Sequence, residues 1–178
     1  MRIACLGWGS LVWDPRSLPL NSGWYADGPG VHVDYYRQSN DQRLTLVLHP
    51  SAELSRSLWS LVAAKDLLQA AQSLADRECM PSTRAIGSWS IGDSSPPTIP
   101  NLDAWAQTKN LTHVIWTDLP VKFNGQQVPP TREEALAYLR TLPPEVSIRA
   151  EEYVRRTPAQ VQTALRRTFE REMHWTAV

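Results

Sequence analysis

The chain opens with MRIACLGWGSLVWDP (residues 1–15), an apolar run interrupted by Gly7 and Gly9. Residues 2–8 predict a fully buried strand, because a short apolar run that ends at glycine is typical of one. Residues 7–11 predict the loop that follows, since glycine weakens the interior of a strand. Three interpretations of the stretch compete: a secretory signal, a nucleotide-binding loop, and a strand that leads into a ligand-binding loop.

The secretory interpretation fails on the composition of the run. It has a single early cation, Arg2, and two internal glycines, it ends at Asp14-Pro15, and it lacks a small-residue cleavage site. No other stretch reaches the ~20 apolar residues of a membrane span. The sequence therefore predicts a protein that is neither secreted nor embedded in a membrane.

The nucleotide-binding interpretation fails on spacing. Gly7-Trp8-Gly9 begins like GxGxxG, but Val12 stands where the third glycine belongs, and Pro15 disfavours the helix that should follow. Ser10 does not match the GxSxG pattern of a nucleophile elbow. What remains is a loop whose backbone N–H groups approach a carboxylate or carbonyl oxygen closely, because two of its residues lack Cβ. A purely structural bend at the corner of a barrel is the alternative.

Composition limits the function further. The chain of 178 residues has 42% apolar residues and predicts one domain over 1–178. Its 18 basic and 18 acidic residues cancel, which argues against nucleic acid or a membrane surface as partner and favours a small molecule. Cys5 and Cys79 predict free thiols in the cytoplasm, and the four histidines lack metal-ligand spacing. The sequence predicts no metal and does not indicate the oligomeric state.

The strand pattern lies mainly in the first third of the chain. Residues 31–39 and 43–49 predict a hairpin, because two β-rich runs flank a polar turn. Further strands are expected at 57–64 and 112–119. The turn-rich, proline-containing stretch 92–103 predicts a long loop.

Helices are expected at 65–80, 131–142 and 157–172. Pro81 should stop the first, Thr131 and Glu134 form a capping box for the second, and Thr157 with Pro158 should start the third. Strands followed by helices predict an α+β fold around a small mixed, barrel-like sheet, with a helical C-terminal part from about 131.

Glu78 stands out on the helical wheel of 65–80. At about 100° per residue, it falls among the apolar residues Leu67, Leu68, Leu74 and Ala75 rather than on the polar side. A carboxylate directed into a core is costly unless it is paired or faces a polar cavity, and one that faces a cavity suits proton transfer.

Two observations favour a structural role for Glu78. It lies in the last turn of its helix, where an ion pair with Arg84 would satisfy it. Glu172 occupies the same kind of wheel position in the last helix, on the stripe of Val161, Leu165 and Phe169, without any other sign of catalysis. Cys79 suggests a thiol mechanism, but no histidine lies near it in sequence to activate it.

The motifs resemble one enzyme family when taken in order. CLGWGSLVWDP resembles the [FY]GYGSL-x-W-x-P opening of the γ-glutamyl cyclotransferases, most closely the glutathione-directed ChaC type. GPGVHVDYYRQS, RLTLVL and SLWSLVA resemble its next strands, and LADRECM resembles the segment W-x-x-R-E that carries its catalytic glutamate. The resemblance covers residues 3–80.

The resemblance implies a small mixed β-barrel with flanking helices and a small γ-glutamyl substrate. Its substrate loop would be Gly7, Trp8, Gly9, Ser10 and Leu11. Glu78 would be the general base that lets the substrate amine attack its own γ-carbonyl and release 5-oxoproline, without any cofactor.

This chain departs from the family pattern at two positions. Trp8 replaces the usual tyrosine, and Ser82 stands where ChaC-type proteins often have an aromatic residue. These departures leave a second interpretation open, a non-catalytic small-ligand-binding or interaction domain on the same fold.

Overall fold

The computed structural model describes residues 1–178, with seven strands and five α-helices. The strands are β1 (Ile3–Gly7), β2 (Gly30–Gln38), β3 (Leu44–Leu48), β4 (Leu54–Arg56), β5 (Leu58–Leu61), β6 (Ile86–Ser90) and β7 (His113–Thr117). The α-helices are α1 (Leu67–Arg77), α2 (Leu102–Thr108), α3 (Arg132–Arg140), α4 (Pro144–Arg156) and α5 (Ala164–Met173), and a short 3-10 helix spans Thr83–Ala85.

The strands form two sheets, in the orders β5-β1-β7-β6 and β3-β2-β4. This confirms the α+β class and the hairpin, since β2 and β3 pair antiparallel. The predicted closed barrel does not form, because no strand of one sheet pairs with a strand of the other. Strand β2 makes only one isolated bridge to the chain after β7, between Arg37 and Lys122. A barrel needs continuous pairing around its circumference.

Strand β1 lies between two hydrophobic clusters. Ala4 and Leu6 belong to the larger cluster of 28 buried residues, and Ile3 and Cys5 to a smaller one of 8 that includes Leu74 of α1. Because successive side chains of a strand point to opposite faces, β1 contributes to both clusters. The predicted fully buried strand is confirmed.

Helix α1 begins and ends near the predicted positions. At its start, the Asp66 carboxylate accepts a hydrogen bond from Gln69 N–H at 2.8 Å. At its end, Glu78 is the C-cap residue, and the helix stops before Cys79, which has a φ of +55°. The wheel placed two residues wrongly: Leu68 is 73% exposed and the Arg77 side chain only 3%. The buried face is rotated towards Ala70 and Arg77 because the arginine reaches across to the loop after β1.

The C-terminal helices differ from the prediction. The capping box at Thr131 and Glu134 is present, but Thr157 ends helix α4 instead of starting a helix. Helix α4 was missed because Pro143-Pro144 suggests a stop, although proline is well suited to the first turn of a helix. Residues 158–163 are not helical, and Thr163 caps α5.

A buried arginine explains the irregular segment before α5. The Arg166 guanidinium donates hydrogen bonds to the carbonyl oxygens of Pro158 at 2.7 Å and Val161 at 2.9 Å. Strands β4 and β6 and helix α2 were also missed, and the predicted 92–103 loop ends at Asn101, before Leu102 starts α2. No helix in the protein has the length and apolar character needed to cross a bilayer.

Candidate active site

A cavity of about 400 Å³ lies where strands β1 and β7 end. The two strands run parallel, with Cys5 beside Ile115, so both chains leave the sheet at the same edge. The wall is built from the predicted loop, the end of α1, the β2–β3 hairpin and helix α4: Gly7, Trp8, Gly9, Ser10, Leu11, Glu78, Arg37, Arg43, Thr117 and Tyr153 are among its residues. The structure therefore brings Glu78 and all five predicted loop residues to one cavity.

The loop presents free backbone donors. The N–H groups of Trp8, Gly9, Ser10 and Leu11 donate no hydrogen bond to any protein atom, although Trp8, Gly9 and Leu11 are buried. Buried backbone N–H groups nearly always have an acceptor. Successive free donors of this kind favour an oxygen ligand that carries negative charge.

The two glycines are needed for packing against the protein itself. A Cβ on Gly7 would lie 2.8 Å from the Trp24 ring, and one on Gly9 would lie 2.5 Å from the Tyr153 hydroxyl. The sequence argument attributed both glycines to close approach of a ligand, and the structure adds a second reason, packing within the protein. The glycines let Trp24 and Tyr153 pack against the loop.

Glu78 has one oxygen held and one oxygen free. Its Oε1 accepts hydrogen bonds from Arg77 Nη1 at 2.6 Å and from Thr117 Oγ1 at 3.4 Å, while Oε2 has no partner within the protein. The side chain is 19% exposed and lines the cavity. The expected ion pair with a nearby arginine is present, but its partner is Arg77 and not Arg84.

Arg77 is a site residue that sequence reasoning missed. Besides Glu78 it donates to the carbonyl oxygen of Asp14 from Nε at 3.1 Å and to Ser10 Oγ from Nη2 at 3.3 Å. One guanidinium thus joins the end of α1 to the loop after β1. The wheel placed Arg77 on the solvent side, and the one sequence signal for it was the arginine that directly precedes the glutamate in the W-x-x-R-E pattern.

Tyr153 of α4 was also missed, because α4 itself was missed. Its hydroxyl oxygen accepts a hydrogen bond from Leu46 N–H at 3.4 Å, and its own O–H has no acceptor in the protein. Burial raises the pKa of Tyr153 to about 12, so the hydroxyl keeps its proton at neutral pH. The Tyr153 hydroxyl is thus a hydrogen-bond donor from α4 that lies beside Gly9. The side chain of Trp8, in the loop itself, has no hydroxyl.

The remaining residues raised by the sequence lie apart from this arrangement. Ser82 is exposed and caps the short 3-10 helix by accepting from Arg84 N–H. Glu172 is exposed and pairs with Arg171, so its predicted place on a buried stripe is wrong. Cys79 is exposed on the rim of the cavity, with Sγ 3.5 Å from Arg16 Nη1.

The fold is similar to that of a solved enzyme. A yeast structure described as a γ-glutamyl cyclotransferase specific to glutathione aligns over 98% of this chain and 98% of its own, with a TM-score of 0.53 and 12% sequence identity. At that identity the likeness concerns the fold alone. No protein-family model matches the sequence, and no curated protein matches it.

Proposed function

We propose that the protein is a γ-glutamyl cyclotransferase, which releases 5-oxoproline from a γ-glutamyl peptide or amine. The observation that carries the proposal is that Glu78, a carboxylate with a free oxygen, lines the same cavity as residues 8–11, whose four consecutive N–H groups have no acceptor in the protein. The reaction needs these two features: an oxygen-binding surface and a group that moves one proton. The fold of the yeast enzyme supports the same activity.

In the proposed reaction the substrate supplies its own nucleophile. The neutral α-amino nitrogen attacks the γ-carbonyl carbon and forms the C–N bond of a five-membered ring. The proton that this nitrogen loses passes to Glu78. The γ-carbon–nitrogen bond to the leaving group then breaks, and Glu78 returns the proton to the departing nitrogen. Holding the substrate folded back on itself removes much of the entropic cost of closing the ring.

The loop and its neighbours are proposed to hold the substrate oxygens. The free N–H groups of residues 8–11 donate to the glutamyl carboxylate or to the oxygen that becomes negative as the ring closes. Arg77 is a positioning residue, because its guanidinium donates hydrogen bonds to both Glu78 and Ser10 and so holds the two side chains relative to each other. Tyr153 adds a protonated hydroxyl to the same wall.

The decisive experiment is a turnover screen with Glu78→Gln. Wild-type protein should release 5-oxoproline from glutathione, a γ-glutamyl dipeptide or a γ-glutamyl amine, and the variant should lower kcat by a factor of about 10² to 10⁴. The amide side chain keeps the shape of the carboxylate but does not accept the proton. Product is measured by chromatography of 5-oxoproline.

Glu172→Gln is the matched control, since it removes a carboxylate that lies outside the cavity. It should keep wild-type turnover. Circular dichroism and thermal unfolding check that both variants fold. Full activity of Glu78→Gln, or no turnover of any γ-glutamyl donor by wild type, would contradict the proposal. Saturable binding without turnover would favour a ligand-binding domain on this fold.

A further inference from the structure

A second cavity adjoins the first and is lined by helix α4. Its volume is about 440 Å³, and it shares Ser10, Arg16, Arg43 and Tyr153 with the first cavity. The two cavities, together called the cleft, are therefore neighbours that meet at these four residues, and Glu78 lines the first one only. A substrate cleaved beside Glu78 has room to extend into the second part.

One face of α4 forms the far wall of this second cavity. Arg149, Glu152, Tyr153 and Arg156 all line it, and their spacing of three, four and seven residues places them on one side of a helix. Trp13 also lines this cavity. The Arg156 guanidinium lies over the Trp13 ring, with its central carbon 5.5 Å from the ring centroid. The sequence resemblance to the γ-glutamyl cyclotransferases covers residues 3–80 and therefore does not include this helix.

The cleft is positive although the whole chain has no net charge. Over both cavities, six arginines face four carboxylates, while the chain has 18 basic and 18 acidic residues. Four of these arginines are paired with the four carboxylates: Arg16 with Asp14, Arg43 with Asp41, Arg77 with Glu78, and Arg156 with Glu152. A ligand in the cleft therefore meets a surplus of positive charge.

Arg37 and Arg149 are the two lining arginines without an ion pair, and Arg37 donates a hydrogen bond to the Pro120 carbonyl oxygen at 2.7 Å whereas Arg149 has no partner. It forms neither an ion pair nor a hydrogen bond within the protein, and it is exposed at the cavity wall. Glu152, one turn away, is already engaged by Arg156 at 3.0 Å. The five donors of a free guanidinium are well suited to a carboxylate.

We propose that this second cavity binds the leaving-group half of the substrate, and that Arg149 selects leaving groups that carry a free carboxylate. The inference rests on the proposed function. The glutamyl half occupies the first cavity, between the loop N–H groups and Glu78. The acidic half lies across Ser10 against α4.

The test compares two substrates that differ only in one charge, γ-glutamyl-alanine and γ-glutamyl-alaninamide. Wild-type protein should have a kcat/KM about fivefold or more higher for the acid, a range typical of one charge-assisted contact at a partly solvated site. Arg149→Gln should bring the ratio close to one, and Arg149→Lys should keep part of it. Arg140→Gln removes an exposed arginine of α3 outside both cavities and should leave the ratio unchanged.

The outcomes separate the two proposals. Equal kcat/KM for acid and amide in wild type, or an unchanged ratio in Arg149→Gln, would overturn the subsite while leaving the cyclotransferase proposal standing. If neither compound is turned over, calorimetry with the same pair decides the subsite, and the cyclotransferase proposal fails only if glutathione and every other γ-glutamyl donor are not turned over either. Tighter binding of the acid that is lost in Arg149→Gln supports it, and equal affinities or no binding overturn it.

Discussion

Gly9 packs directly against Tyr153, with no room for a side chain between them. A Cβ at position 9 would lie 2.5 Å from the Tyr153 hydroxyl but 3.4 Å from the ring carbon that bears it. The hydroxyl oxygen alone therefore excludes a side chain there. The contact fixes the distance between the loop after β1 and helix α4.

A double-mutant cycle tests this contact. Gly9→Ala should lower the free energy of unfolding by about 2 kcal/mol, because the added methyl group overpacks the site. In a Tyr153→Phe background the same substitution should cost less than about 1 kcal/mol, since the clashing oxygen is gone. Urea unfolding of the four chains measures the coupling.

Gly23→Ala is the matched control, because a Cβ there has no atom within 4 Å. It should change the stability by less than about 1 kcal/mol. Equal costs of Gly9→Ala in both backgrounds would show that the hydroxyl does not set the spacing.

At the scale of single residues, the sequence indicated Glu78 and the five loop positions but neither Arg77 nor Tyr153. The wheel finds a carboxylate on an apolar face because helical periodicity depends only on local sequence. Arg77 could not be found this way, since its three partners lie 63 or more residues away or directly next to it. Its burial is decided by tertiary contacts.

At the scale of elements, helix α5 depends on a buried carboxylate in another element. Asp34 of β2 accepts hydrogen bonds from Thr163 Oγ1 at 2.6 Å and from Leu165 N–H at 3.3 Å. Burial raises the pKa of Asp34, and these hydrogen bonds oppose the rise. The start of α5 is thereby tied to the second sheet.

Thr163→Ala should therefore lower the free energy of unfolding by about 2 kcal/mol at pH 7, through a lost cap and a less satisfied carboxylate. It should also raise the pKa of Asp34 further. A carboxyl group with a raised pKa in the folded state stabilises the fold most at low pH, and this stabilisation is lost as the pH rises through the folded pKa. The cost of Thr163→Ala should consequently be smaller at pH 4 than at pH 7.

Urea titrations at both pH values measure the effect, with Thr163→Ser as the control that keeps the hydroxyl. A cost that does not change with pH would mean that Asp34 is not coupled to the cap. The sequence could predict the capping box of α3, whose two residues, Thr131 and Glu134, are three positions apart. It misplaced the start of α5 because one deciding partner, Asp34, lies more than a hundred positions away in the sequence.

At the scale of the whole molecule, a neutral chain has a locally positive cleft. Because the net charge is zero, long-range attraction of an anion is weak, and the arginines around the cavities act over short distances. Salt screens such interactions, with a Debye length of about 10 Å at 0.1 M and about 3 Å at 1 M.

Ionic strength should therefore change substrate binding more than chemistry. We expect the KM for γ-glutamyl-alanine to rise by roughly threefold or more between 0.05 and 0.5 M NaCl, while kcat changes by less than about twofold. Initial-rate kinetics measure both constants. The KM for γ-glutamyl-alaninamide, which lacks one charge, should rise less, and a KM for the acid that ignores salt would argue against a cationic binding cleft.

The overall architecture was predictable as far as local patterns determine it. The buried first strand and the hairpin follow from short-range patterns, and the α+β class follows from their order. The separation into two sheets does not, because pairing of β1 with β7 joins residues more than a hundred positions apart. One domain over 1–178 and a cytoplasmic location stay predictions.

Helix α4 supplies the last wall of the cleft, long after the chain has contributed its carboxylate and its loop. During synthesis, the ribosome releases the first strand and the end of α1 well before residue 153. A nascent chain of that length thus contains Glu78 and the loop residues but lacks Tyr153, which packs against Gly9 in the complete protein. The cavity gains its last wall only when translation has passed the fourth helix, so the complete pocket is a product of the whole chain and not of its first half.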